Sequence, residues 1–220
     1  ASVTGNLAVT GTITPRTGHH MRVLLIGANG LLGRAVHEAF NAQGYDVVPA
    51  SRTSGELVDL NDTDSIASLF QRVGMVDAVA SAAGVTPFAA LSELTIDQYR
   101  TGITDKLLGQ IALVNIGAAH VRDGGSFTLV SGILGEDPIV TGSVAATVNG
   151  ALYSFVRAAA IEMPRGQRIN TVRATVFAEA WESYGPYFPG YVPVPVADVA
   201  RAYVKSVAGK QTGEVYRVGC

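Results

Sequence analysis

One cysteine in 220 residues, the terminal Cys220, leaves no intrachain disulfide and no thiolate cluster for a metal. Charge is scarce as well: Asp, Glu, Lys and Arg make up 15% of the chain, and the formal net charge is -2. The basic field that would attract nucleic acid or an anionic membrane is therefore missing. No run approaches the ~18 apolar residues of a membrane-spanning helix. There is no internal repeat and no low-complexity tract. These absences point to one folded domain in a reducing, cytoplasmic setting, with a small molecule as its partner.

What is present begins with an odd leader. Residues 1–20, ASVTGNLAVTGTITPRTGHH, are rich in Thr and Gly and lack the charge-then-apolar order of a secretory signal. They read either as an added leader, with a domain over 21–220 starting at Met21, or as a native extension whose VTGTIT could pair as an edge strand. No ligand spacing follows the His19–His20 pair to make it a metal site.

From Met21 onward, short β-type runs alternate with longer helical ones. Strands are predicted at Arg22 to Ile26, Asp46 to Ala50 (dented by Pro49), Leu57–Val58, Val76 to Ala80, Ser126 to Ser131, Arg168 to Phe177 and Glu214 to Val218. Helices are predicted at Leu31 to Gln43, from Asp62 to Asp64 onward, Ile96 to His120, Ser143 to Met163 and Val196 to Val207. Hydrophobic residues form 48% of the chain, enough for a sizeable core. Strand and helix alternating in this way predict an α/β, doubly wound parallel sheet covered on both faces.

The turn after the first strand is GANGLLGR, residues 27–34. Gly27 permits the tight turn, Gly30 lets a phosphate approach the backbone, and Gly33 lets the helix pack on the sheet. Asn29, Leu31 and Leu32 complete a helix N-terminus whose free N–H groups face a pyrophosphate. The second strand leads to Ser51–Arg52 rather than to an acidic residue. A hydroxyl and a guanidinium there suit a 2′-phosphate, which favours NADP(H) over NAD(H).

With these features the chain resembles the short-chain dehydrogenase/reductase family from Met21 to Gly219. GANGLLG is similar to the family's cofactor turn. Asp59–Leu60 matches its adenine contact, and Ser81-Ala82-Ala83-Gly84 stands where the family has Asn-Asn-Ala-Gly beneath the cofactor. LTIDQYRTGITDKLLGQ resembles the fourth helix and TGEVYRVG the last strand. The resemblance implies a Rossmann-like single domain, a nicotinamide cofactor, and commonly a homodimer or homotetramer.

The likeness breaks in SGILGEDPIVTGSVAATVNGALYSF, residues 131–155. Counted from Gly135, the family's serine falls on Gly132, its tyrosine on Ala145 and its lysine on Asn149. The spacing to Leu152, Arg157 and Ala160-Ile161-Glu162 gives the same register. The family's asparagine in the fourth helix falls on Lys106, and its Pro-Gly after the sixth strand on Ala174-Thr175. Alanine has no proton to give, so the phenol that would serve as general acid is absent.

Candidate replacements are few. Ser131 is one residue from the serine position, although alternation along a strand could turn it to the opposite face. Lys106 could hydrogen-bond the cofactor ribose or donate a proton if desolvated, or it could be a surface lysine. Asn149 can contact the nicotinamide ribose. Tyr153, one turn further, is expected to pack against the next helix, and Glu136 and Asp137 to lie in a solvated loop. Six of 16 aromatics fall within residues 177–191. Trp181, Tyr184 and Tyr187 there would suit either a substrate lid or a subunit interface. Three functions remain open: an oxidoreductase on a small carbonyl or alcohol with a non-standard proton donor, a non-catalytic NADP(H) sensor or scaffold, and a non-redox isomerase or lyase.

Overall fold

A computed structural model describes residues 20–219; the expectations for the leader, and for Cys220, lie outside the described residues. Seven strands form one sheet: β1 (Arg22–Ile26), β2 (Asp46–Ser51), β3 (Glu56–Leu57), β4 (Val76–Ser81), β5 (Val121–Val130), β6 (Arg168–Ala174) and β7 (Val215–Val218). Their order is β3-β2-β1-β4-β5-β6-β7 and every pairing is parallel. The chain thus winds outward from β1 in one direction, then from β4 in the other. The point of reversal, between β1 and β4, opens a crevice at the strands' C-terminal ends.

β1 shows why the sheet must be covered twice. Val23 and Leu25 enter one core with Leu32, Val36 and Phe40 of α1 (Leu31–Ala42) and with Val199 and Tyr203 of α7 (Val196–Ala208). Leu24 and Ile26 enter the other, with Ile66, Leu69 and Phe70 of α2 (Thr63–Val73). Leu113 and Val114 of α4 (Gly109–Gly117) and Val148, Leu152 and Val156 of α5 (Ser143–Ala160) complete that second core. A strand apolar at every position is the local consequence of two buried faces.

Three expectations are corrected in detail. β3 is Glu56–Leu57 rather than Leu57–Val58, and it pairs only with Ala50 and Ser51. Pro49 therefore lies where β2 has no second neighbour that needs an N–H. β5 begins at Val121, ahead of the Gly124–Gly125 pair, because its early residues are taken up in an irregular register with β4 between Val76 and Ala78. The long helix predicted over 96–120 is four pieces: α3 (Ile96–Gly102), a π-helical turn over Ile103–Leu108, α4, and a 3-10 turn over Ala118–His120. α3 starts with a capping box between Thr95 and Gln98. π-turns of this kind are frequent at functional sites, and this one carries Lys106.

Gln110 fixes that turn to the sheet. β4 stops pairing with β5 at Ala80↔Thr128, so Val130 has no strand partner on that side. The fully buried Gln110 stands in for the missing strand. Its Nε2 donates to the Val130 carbonyl (2.9 Å) and to the Lys106 carbonyl (2.9 Å), while its Oε1 accepts from the Val130 N–H (2.8 Å). Replacing it with leucine leaves these backbone groups buried and unpaired, at about 1–3 kcal/mol each. Gln110→Leu is expected to lower the melting temperature by several degrees and Gln110→Glu, which keeps one acceptor, by less. Thermal unfolding followed by circular dichroism checks this, and equal melting for all three proteins would refute the bridging role.

Candidate active site

The β1–α1 corner is shaped by two close approaches. A Cβ on Gly33 would lie 2.0 Å from the Gly27 carbonyl oxygen, so no other residue lets α1 start this near β1. Gly27 itself has φ 79 and backs onto Ala82. Gly30 differs: a Cβ there would meet only the Gly27 carbonyl oxygen, at 3.5 Å, and would otherwise project into the open crevice. Gly30 caps α1 without a side-chain hydrogen bond, and the first turn contains no acidic residue. The helix thus presents uncompensated N–H groups and a positive end to a cleft of about 310 Å3.

That cleft gathers many of the residues expected at a dinucleotide. Gly27, Asn29, Gly30, Ser51, Arg52, Asp59, Leu60, Ala82, Ala83 and Gly84 all line it. Leu32 and Gly33 do not; Leu32 is a core residue and Gly33 sits behind the turn. Thr53 and Ser54, overlooked in the sequence, complete a polar cluster at the end of β2. Asn29 Nδ2 donates to Ser51 Oγ (2.8 Å) and Ser54 Oγ (2.8 Å), and Arg34 donates to the Asn29 carbonyl (2.7 Å). The run SRTS, three hydroxyls around one guanidinium, was the signal. Across the cleft, the backbone and side-chain amides of Asn61 donate to Asp59 (3.0 and 3.1 Å) and hold its carboxyl below the usual range.

A second cavity, of about 460 Å3, adjoins the first and shares Gly84 and Val85 with it. Lys106, Ser131, Ala145 and Asn149 are brought together on its wall, with Leu31, Ala174 and Thr175. Asn149 is 3% exposed, and its Oδ1 is buried without a hydrogen-bond partner. A buried carbonyl left unpaired is costly unless a ligand satisfies it. Lys106 is half-buried, and its stem passes so close to Gly84 that a Cβ there would lie 2.6 Å from the lysine Cγ. Neighbouring Asp105 turns away, accepting from the Val85 N–H (2.6 Å) and from Asn61 Nδ2 (3.1 Å). Desolvation brings the Lys106 ammonium down to about 8 against the opposing pull of Asp105. Among the described residues it has no hydrogen-bonding or ion-pair partner.

The other candidates are engaged elsewhere. Ser131 lines the cavity, yet its hydroxyl donates to the Val172 carbonyl (3.2 Å) and accepts from Thr171 (3.0 Å). Tyr153 does not pack against the next helix as expected: its hydroxyl donates to the Gly132 carbonyl. Burial, and then the charge of Glu136, push that phenol up to about 12. Glu136 is exposed in the loop after Gly135, as expected, and it is ion-paired there. It pairs with the buried Arg173 (3.2 Å) and with Arg217 (2.8 Å), which hold its carboxyl below the ordinary value.

The aromatic segment after β6 leaves and returns at one base. Ala178 N donates to Val194 O and Val194 N to Val176 O, while the Glu179 carboxylate accepts from Val196 N. Of its three predicted aromatics, Tyr184 lines the second cavity, Tyr187 lines a neighbouring pocket, and Trp181 lines neither, its ring covering Gly185 instead. Phe88, Phe177 and Phe188, which the sequence did not single out, supply more of the apolar wall.

A dinucleotide fits these features: an open helix N-terminus, two joined cavities and an unpaired amide at the far end. The two glycines separate folding from binding. Gly33→Ala is expected to unfold the corner, lowering thermal stability and abolishing dinucleotide binding together. Gly30→Ala should melt near the wild-type temperature and still bind at least tenfold more weakly. Melting curves beside a fluorescence titration read both, and normal binding by Gly30→Ala would show that no ligand approaches that backbone.

Comparison with known proteins agrees with this geometry. Residues 27–186 match the family model of enoyl-(acyl carrier protein) reductases. The crystal structure of the Listeria innocua protein lin1944 superposes with a TM-score of 0.88 at 51% identity, covering 90% of this chain and 99% of that one. A small-chain dehydrogenase solved in complex with NADPH superposes with a TM-score of 0.83 at 22% identity, covering 91% of this chain and 97% of that one. An uncharacterized oxidoreductase of Methylorubrum extorquens is 27% identical over 63% of this chain, a stretch spanning 55%, about half, of that protein. The chain belongs to the short-chain dehydrogenase/reductase family of nicotinamide-dependent oxidoreductases.

Proposed function

We propose that the protein is an NADP(H)-dependent oxidoreductase of a small carbonyl or alcohol compound, with Lys106 as proton donor in place of the family's tyrosine. The observation that carries this reading is an unpartnered ammonium that lines the same cavity as Asn149 and Ala145. Ala145 is 3% exposed and ends in a methyl group. Tyr153 cannot replace the missing phenol, because its proton is committed to the Gly132 carbonyl and is held too tightly to leave near neutral pH. An ammonium near 8 is still charged at pH 7 and readily gives up its proton.

The bound cofactor would supply hydride to, or accept it from, the reacting carbon. The chain's own residues would do the rest. The α1 N-terminus would hold the pyrophosphate, and Asn149 would turn its free amide oxygen to a ribose hydroxyl. Ser51, Arg52, Thr53 and Ser54 would receive a 2′-phosphate, the guanidinium supplying charge and the hydroxyls supplying hydrogen bonds. Lys106 would pass one proton to the carbonyl oxygen as the alcohol forms, and take it back in the reverse direction.

The buried methyl of Ala145 also favours a second reading, a protein that binds NADP(H) without turnover. Steady-state reduction of a carbonyl panel, followed by NADPH absorbance, separates the two. On the catalytic reading, Lys106→Ala lowers kcat by about 10²–10⁴-fold, the usual span for a general acid. Reduction by the wild type should run fully below pH 8 and fall about tenfold per unit above it, as the ammonium is lost; oxidation should show the opposite slope. Activity indifferent to Lys106→Ala overturns the assignment, and NADPH binding without turnover of any carbonyl supports the second reading. For Arg52, replacement by Asp is expected to shift the NADPH-to-NADH affinity ratio by at least tenfold towards NADH; an unchanged ratio removes the phosphate contact.

A further inference from the structure

Beside the cavity that holds Lys106 and Asn149 lies a further pocket of about 380 Å3, and Phe88, Tyr184 and Phe188 belong to the walls of both. None of the roles assigned above uses this pocket. Beyond the shared aromatics it adds Ile139, the phenol of Tyr187, the hydroxyl-bearing Thr141 and the carboxylate of Glu93. Glu93 is an exposed carboxylate and the one charged side chain among its described lining residues.

Thr141 stands out among them. Its φ is 69, a left-handed conformation that β-branched residues avoid. Its hydroxyl oxygen is buried with no hydrogen-bond partner. Its carbonyl accepts from the Ala89 N–H (3.2 Å), which ties the two loops that wall the pocket to each other. Strain that the surroundings hold in place is concentrated at ligand clamps and active sites. The Glu93 carboxylate is thus, among the described residues, the one charged group on a space lined mainly by apolar and aromatic side chains.

We propose that this pocket is a second substrate subsite, and that the substrate is an elongated apolar carbonyl or alcohol compound carrying an amine remote from the reacting carbon. The inference rests on the oxidoreductase reading for the reacting end of that molecule. An ammonium is a donor only and carries the charge opposite to that of Glu93, so the carboxylate can accept from it. A carboxylate in its place would meet like charge at Glu93. The aromatic waist of Phe88, Tyr184 and Phe188 suits a flexible chain, each buried methylene adding roughly fourfold to affinity.

Calorimetric titration of the full chain with n-octylamine, n-octanol and octanoate tests the chemistry without requiring turnover, with and without saturating NADP+. Octylamine is expected to bind about three- to tenfold more tightly than octanol, and octanoate more weakly than either. Glu93→Gln, a change on an exposed side chain, should abolish the advantage of octylamine over octanol while NADPH affinity stays at the wild-type value. Octanoate binding as tightly as octylamine, an amine preference that survives Glu93→Gln, or no binding of any of the three would each overturn the proposal. If NADP+ itself fails to bind, the oxidoreductase reading falls, and the amine preference measured without cofactor still decides the chemistry of the pocket.

Discussion

The contact on which the site depends is the approach of α1 to β1, with Gly33 resting against the carbonyl of Gly27. Because no Cβ intervenes, the helix starts directly above the carboxyl end of the strand rather than beside it. Its first N–H groups cannot then be covered by the sheet or by a capping side chain, and Gly30 supplies none. The corner is left with a positive end and nothing of its own to neutralise it. All other parts of the crevice are placed relative to this corner: the hydroxyls of β2 on one side, and the Ala82–Val85 turn of β4 on the other.

The second constraint is electrostatic. Lys106 lines the second cavity and Tyr153 is buried in α5, and their surroundings displace their proton affinities in opposite directions with respect to function. Desolvation makes the ammonium of Lys106 easier to deprotonate, and the same effect makes the phenol of Tyr153 harder to deprotonate. Two titratable groups driven apart by their environments are the usual mark of divided roles. Here one group is free to exchange a proton and the other is locked as a structural donor to Gly132. Glu136 forms a charge triad with Arg173 and Arg217, and its charge adds to the upward push on the Tyr153 phenol.

Much of this was legible before any coordinates. The continuous apolar run located β1 to the residue, and the glycine spacing identified the corner, because both depend on local sterics. The family resemblance, laid over residues 131–163, put Ala145 where that family carries its tyrosine, and the structure places Ala145 on the wall of the second cavity. What patterning missed depends on partners distant in the chain. The helix over 96–120 reads as continuous, since nothing local tells that Gln110 must turn to Val130, 20 residues on, and that the turn carrying Lys106 opens into a π-helix. The exposure of Glu136 was legible but its ion pairs were not, because Arg173 and Arg217 arrive from β6 and β7. Phe88 and Phe188 are unremarkable in sequence; they matter only because two loops meet over the second cavity.

Lys106 also has a thermodynamic signature that separates function from stability. In the unfolded chain its ammonium keeps the ordinary lysine value, whereas in the fold it is brought down to about 8. Below pH 8 both states are charged, and the folded state bears the cost of a poorly solvated cation. Between pH 8 and the ordinary value the folded protein gives up a proton that the unfolded chain retains, so stability contributed at this position rises across that window. A residue selected for stability would show the reverse, being most favourable at neutral pH. On the oxidoreductase reading, an ammonium on the cavity wall can lose a proton to a substrate oxygen and thereby relieve its own desolvation. The burial that costs the fold at neutral pH is, on this view, what makes the amine a competent acid in a site without the customary phenol.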